Sequence, residues 1–269
     1  MQLPILRTLA LVAVGNAALG GRNVSGFWPD DPIFQYTASL DFMAPREQGP
    51  LAHVACGPIV WFDKLKKRGC RGLRLHAAPM QQNRKLGHID ERKLVGLVGG
   101  GPRWLVEPVY PERSELWEGF DRIGDQKAPD GKIWLSAYVL IGEADSADRV
   151  DTDIRAASED LRRALVSAEE VAQDLPGAQF ADTFVAARRA LEGQDLPSPL
   201  PLLKFAQLTP EATRLLKATG RAWVFGGPGS WNAIVPTGAV QPRYEQASQV
   251  LFASLQRAVL VIGNSTYRG

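Results

Sequence analysis

Residues 223–232 read WVFGGPGSWN, with Gly226, Gly227 and Gly229 set around Pro228 and an indole at either end. Glycine opens positive φ to the backbone and proline fixes φ, so the run encodes a specified turn rather than a loose linker. Two chemistries suit it. One is a structural turn wedged between Trp223 and Trp231. The other is an anion or peptide site made of free N–H groups, with Ser230 and Asn232 supplying directed hydrogen bonds. The run fits neither G-x-G-x-x-G nor G-x-x-x-x-G-K-S/T; no lysine follows it, and Pro236 interrupts any helix soon after. Ser230 stands in Gly-Ser-Trp, outside the G-x-S-x-G nucleophile elbow. If Gly227 and Gly229 take positive φ, alanine at either lowers stability with no ligand present.

A second constellation is His53-x-x-Cys56 followed by Cys70 and His76. Two nitrogens and two sulfurs would satisfy tetrahedral zinc. The spacing argues against it: the first pair mixes ligand types, and His76 is expected on a strand face shared with Arg74, where a cation is unwelcome. The expectation is no metal and no cofactor, with free thiols and unrelated histidines. A Cys56–Cys70 disulfide would require export. His53, His76 and His88 match no H-E-x-x-H motif, and no local serine–histidine pairing is visible. A triad assembled from distant segments stays open.

Carboxylates come third. Asp30 and Asp31 follow Trp28-Pro29, and an amphipathic ring beside acids can line a binding surface. Glu115, Glu118, Asp121 and Asp125 surround Trp117 and Phe120. Opposed carboxyl groups with an aromatic wall would suit a sugar, but Glu115 and Glu118 are expected side by side on a short helix. The candidate surface is therefore Gly226, Gly227, Gly229, Ser230, Trp231 and Asn232, with Trp28, Asp30 and Asp31.

These residues need elements to hold them. Phe34, Tyr36, Ala38, Leu40 and Phe42 alternate with polar residues over 33–43, which predicts a half-buried antiparallel strand. Residues 57–62, 73–77, 104–110, 132–141 and 222–225 are further strand candidates, with Pro129-Asp130-Gly131 a strong turn before the fourth. Pro108 demotes its strand toward an edge. Helical periodicity covers 151–175, 180–191, 209–220 and 243–262, the third opened by Thr209-Pro210. Strands grouped first and helices after them predict an α+β fold: an antiparallel sheet of about five strands, covered by helices mostly from the C-terminal half. Residues 1–269 read as one domain, with a possible internal boundary at 143–150.

The N-terminal apolar run from Leu3 to Leu19 reads two ways. Arg7 near its start and small residues at its end suit a signal peptide. Pro4 at a first turn and Gly20-Gly21 at the end suit a retained helix, which is the favoured reading. The segment is too short and too polar at Asn16 for a membrane span.

Net charge is +2 with 45% hydrophobic residues, so a sizeable core is available without disulfides. The one basic cluster, Lys64, Lys66, Lys67, Arg68, Arg71 and Arg74, reads as a solvated turn between strands, and no nucleic-acid partner is expected. Arginine and alanine usage hints at a GC-rich bacterial genome. The expected function is a non-catalytic binding or protein-interaction module using the turn at 226–232. Its partner would be a protein or small molecule, in the cytoplasm and off the membrane. A hydrolase or transferase with a dispersed site near the turn is the alternative. An exported small-ligand binder follows if residues 1–20 are cleaved.

Overall fold

In a computed structural model, residues 1–79, 90–96, 100–144, 150–175, 180–194, 196–201 and 203–269 are described. His88 and residues 145–149 of the expected internal boundary lie outside them. Strands β1 (Thr37–Ala44), β2 (Ala52–Cys56), β3 (Gly72–Ala78), β4 (Arg103–Val109), β5 (Ser114–Ile123) and β6 (Trp134–Ala144) form one six-stranded sheet in the order β2-β1-β6-β5-β4-β3. Neighbours are antiparallel except β1 and β6, which run parallel. The sheet is thus mixed, not a five-stranded antiparallel one. A parallel pair needs a long crossover, so no local turn signal announces it.

The helices are α1 (Leu3–Leu19), α2 (Pro58–Lys67), α3 (Glu91–Leu94), α4 (Ile154–Gln173), α5 (Ala181–Leu191), α6 (Pro210–Ala222) and α7 (Val240–Asn264). Two expected strands are absent. Residues 58–62 open α2, because Pro58 suits a first helical turn and Trp61, Phe62 and Leu65 bury one face. Lys64, Lys66 and Lys67 then occupy its last turn, where cations face the negative end of the helix dipole, rather than a turn between strands. Residues 223–225 are a half-buried connector after α6; Trp223 and Phe225 both meet Phe252.

Helix α1 is apolar on all sides and buried on all sides, as such a helix must be. It touches β3, β4 and β5 on one side and α2 and α7 on others. The sheet is therefore covered by α1, α2 and α7, while α4 and α6 pack on α7 and α5 packs on both of them. Two of these three sheet-covering helices, α1 and α2, come from the N-terminal half of the chain, where cover mostly from the C-terminal half was expected. One continuous apolar cluster runs from Ile5 to Ile262.

Two polar residues of α1 point into this core. Arg7 is 3% exposed and meets both Asp121 oxygens at 2.6 Å; it also donates to Ser136 Oγ at 2.8 Å. Thr8 shares a 2.8 Å hydrogen bond with Tyr138, whose phenol burial holds above its ordinary pKa. An exported form made by cleavage near Gly20 would lose this helix from the centre of the fold.

Pro108 sits in β4, which is interior, not at an edge. The position tolerates it because the pairing of β4 with β5 lapses between Val106–Trp117 and Val109–Ser114, where no N–H is called for. The edge strand beside it, β3, is sealed by side chains. Asn16 of α1 accepts from Leu73 N–H at 2.6 Å and donates to Leu73 O at 2.9 Å. Asn264 of α7 does the same for Leu75, at 2.7 and 3.0 Å. Two asparagines thus stand in for a seventh strand, and a paired edge does not recruit other chains.

Candidate functional site

The glycine turn begins where α6 stops. Trp231 N–H donates to Val224 O at 3.0 Å, which closes the loop on itself. Inside it, Ser230 donates its N–H to Gly227 O at 3.1 Å and its hydroxyl to Gly226 O at 3.0 Å. Gly229 takes φ +81°, the left-handed conformation that favours glycine. Gly227 does not, and an added Cβ there would meet nothing within 4 Å. Alanine at Gly229 should therefore cost about 1 kcal/mol, while alanine at Gly227 stays within about 0.5 kcal/mol. Urea unfolding of both variants measures this; equal losses would show that the left-handed residue is not what fixes the turn.

Trp231 anchors the turn. It is fully buried, edge-on to Phe180 at 5.4 Å and to Phe184 at 5.2 Å, with Tyr244 at 5.0 Å. Its indole N–H donates to Ser248 Oγ at 2.6 Å, and Tyr244 donates its hydroxyl to Trp231 O. Asn232 donates to Arg92 O at 2.6 Å and accepts from the Arg92 guanidinium at 3.3 Å. Arg92 is 1% exposed and pairs with Glu245 at 2.5 Å. The segment carrying Arg92 packs closely on the turn, since a Cβ on Gly96 would lie 2.2 Å from Gly226 O. Ser230 and Asn232 thus use their side chains within the fold.

Beside the turn lies a cleft of about 410 Å³. Its walls are the end of α4 (Ala172, Leu175), Phe180, Trp231 and the strap Ile234–Val240. Val235 stands on the strap at 85% exposure. Asp174 lines the rim and is paired with Arg243 at 2.6 Å.

The other sequence candidates sit elsewhere. Trp28 is half-buried, edge-on to Phe34 at 4.9 Å and over Gly57 at the start of α2. Asp30 is exposed. Asp31 is buried and accepts from Ile33 N–H at 3.0 Å; burial raises its carboxyl pKa, against the lowering pull of that N–H and of Lys204. No described contact joins this group to the glycine turn.

Glu115, Glu118 and Asp121 lie on β5, not on a short helix. Each is matched by an arginine: Arg68 for Glu115, Arg103 for Glu118 and Arg7 for Asp121. Glu115 also accepts from Trp117 at 3.1 Å, and Tyr110 beside it is pushed above its ordinary pKa by burial. Asp125 caps the turn at Lys127. The four thiol and imidazole residues are split between opposite edges of the sheet. His53 and Cys56 are on β2; Cys70 and His76 are on or beside β3, about 24 Å away at the usual strand spacing. Both thiols are free, and burial pushes the Cys70 thiol up to about 11. Among the described residues no group of three or more His, Cys, Asp or Glu is arranged to hold a metal.

Sequence reasoning missed two histidine–carboxylate pairs. His53 meets Asp41 at 2.9 Å on the exposed side; in the ladder Asp41 stands opposite Cys56 and His53 opposite Met43. His76 meets Glu107 at 2.6 Å; that carboxylate is 1% exposed, and its other oxygen has no hydrogen-bond partner among the described residues. Each partner comes from a neighbouring strand, so only the register could have revealed it. Among the described residues no helix is long and apolar enough to cross a membrane. No family model, no curated protein and no solved structure matches this chain.

Proposed function

We propose that this protein is a non-catalytic protein-interaction module, and that its partner inserts an apolar side chain into the cleft beside the glycine turn. One observation carries the reading: a cleft of about 410 Å³ of mixed lining, with Leu175, Phe180, Trp231 and Val240 among its apolar walls, whose rim residue Val235 is 85% exposed. A small ligand filling the cleft would cover only the face of Val235 that lines it and leave the rest in water. A protein surface would cover both, and burying a valine side chain contributes about 1.5–3 kcal/mol. The rim charge is a balanced Asp174–Arg243 pair rather than a basic stripe, which favours a protein over a nucleic acid. The reading calls for no cofactor. The glycine turn acts here as a frame: it fixes Trp231, and Trp231 forms part of the cleft wall.

Selection of a displayed random-peptide library on the immobilised protein tests this. Enriched peptides should share one apolar anchor residue. Val235→Asp should weaken them at least tenfold, while the melting temperature stays within about 1 °C because the side chain is exposed. Peptides indifferent to Val235→Asp, or no enrichment, would sink the proposal.

A further inference from the structure

At the C-terminal ends of α1 and α7 lies a second cleft, of about 470 Å³, a size suited to small ligands. Asn16, Arg22, Gln207, Thr209, Thr266 and Arg268 supply its polar lining. Neither Arg22 nor Arg268 has a carboxylate or any other acceptor among the described residues, whereas Arg7, Arg68, Arg92 and Arg103 are each matched with one. Arg22 and Arg268 both line this cleft and are exposed, so two like charges border it, screened by water, and an anion between them would be attracted by both. We infer that this cleft binds a small oxyanion, a carboxylate or phosphate group, held between Arg22 and Arg268.

The neighbouring groups leave both arginines available. The carbonyls at the end of α1 are already capped, Asn16 O by Gly20 N–H at 3.0 Å and Ala17 O by Arg22 N–H at 2.9 Å. At the end of α7, Ser265 N–H takes Val261 O and Thr266 takes Gly263 O. Neither arginine side chain is therefore needed as a helix cap. Glu211, in the first turn of α6 beside the cleft, is paired with Arg214 at 3.3 Å. The Asn16 amide is engaged with Leu73 and Thr266. Gln207 has no partner among the described residues, so its amide can donate to the same anion. A guanidinium fork matches carboxylate and phosphate oxygens with two parallel hydrogen bonds, and this geometry selects an oxyanion over a halide.

The probes are inorganic phosphate and succinate, each titrated at constant ionic strength and followed by amide NMR shifts. Saturable shifts should appear at Ala17, Gly20 and Thr209. Arg22→Gln and Arg268→Gln should each weaken binding at least tenfold. Arg155→Gln, at an exposed arginine of α4, should leave it unchanged. Response to phosphate alone identifies a phosphoryl ligand, and to succinate alone a carboxylate. Response to both identifies a site for small oxyanions in general. Shifts that do not saturate, that survive both cleft substitutions, or that Arg155→Gln also removes would overturn the inference. Val235→Asp should bind both probes as the wild type does, so the outcome is independent of the interaction cleft.

Discussion

Arg7→Met should remove about 3–5 kcal/mol of stability, among the largest losses available from one substitution in this chain. Arg7 lies in α1, is 3% exposed, and holds Asp121, Ser136 and Thr37 across three strands. Methionine keeps most of the volume and removes the charge. The Asp121 carboxylate then keeps only the Ser136 hydroxyl at 2.6 Å. Its side chain is 20% exposed, so water offsets part of the cost and the loss should fall toward the lower end of that range. The double variant Arg7→Met/Asp121→Leu should recover most of it, because replacing a buried ion pair by apolar residues is often close to neutral. Urea unfolding of the wild type, Arg7→Met, Asp121→Leu and the double variant gives the coupling directly. A single variant within 1 kcal/mol of wild type would mean that α1 is not locked to the sheet through this pair.

That pair also shows how far the sequence could be read. Near the N-terminus, one arginine followed by apolar residues fits a signal peptide as well as a core helix, and Pro4 with Gly20-Gly21 tips the reading toward the helix. The carboxylate that Arg7 meets, Asp121, lies more than a hundred residues on, so the pairing was not legible. The helices α4, α5, α6 and α7 were legible because each buries one stripe at helical spacing. Leu40 and Phe42 were legible as the inward side of β1. Residues 58–62 were not, since a short apolar run has no period of its own, and Pro58 with the following lysines was the signal that should have decided for α2. Strand β5 was hidden by its acids. Glu115, Glu118 and Asp121 look solvated until their arginines arrive from the residue after α2, from β4 and from α1.

The site divides in the same way. Gly226 to Asn232 announced a turn through backbone chemistry, which is local. What fills its centre comes from α5, α7 and the segment around Arg92, and no local pattern connects them. Ser230 and Asn232 looked free in the sequence because their acceptors, Gly226 O and Arg92 O, are fixed only by the folded path.

Trp231→Ala should cost about 3–5 kcal/mol, the range for deleting a large buried aromatic. The indole is fully buried among Phe180, Phe184 and Tyr244, and those rings come from elements that cannot all close in on the void. Ser248 would also lose its donor, leaving a buried hydroxyl without that partner. Trp231→Phe isolates the second effect: it keeps most of the ring packing, removes the Ser248 hydrogen bond and should cost nearer 1–2 kcal/mol. Equilibrium unfolding followed by far-UV circular dichroism measures both, since the tryptophan signal itself changes. The pair of variants also separates framing from contact. If Trp231 only shapes the cleft wall, Trp231→Phe should weaken an inserted apolar anchor by less than Val235→Asp does, although it destabilises the fold more. The reverse order, a strong binding loss with intact stability, would make the indole itself the recognised surface. That would contradict its burial between α5 and α7.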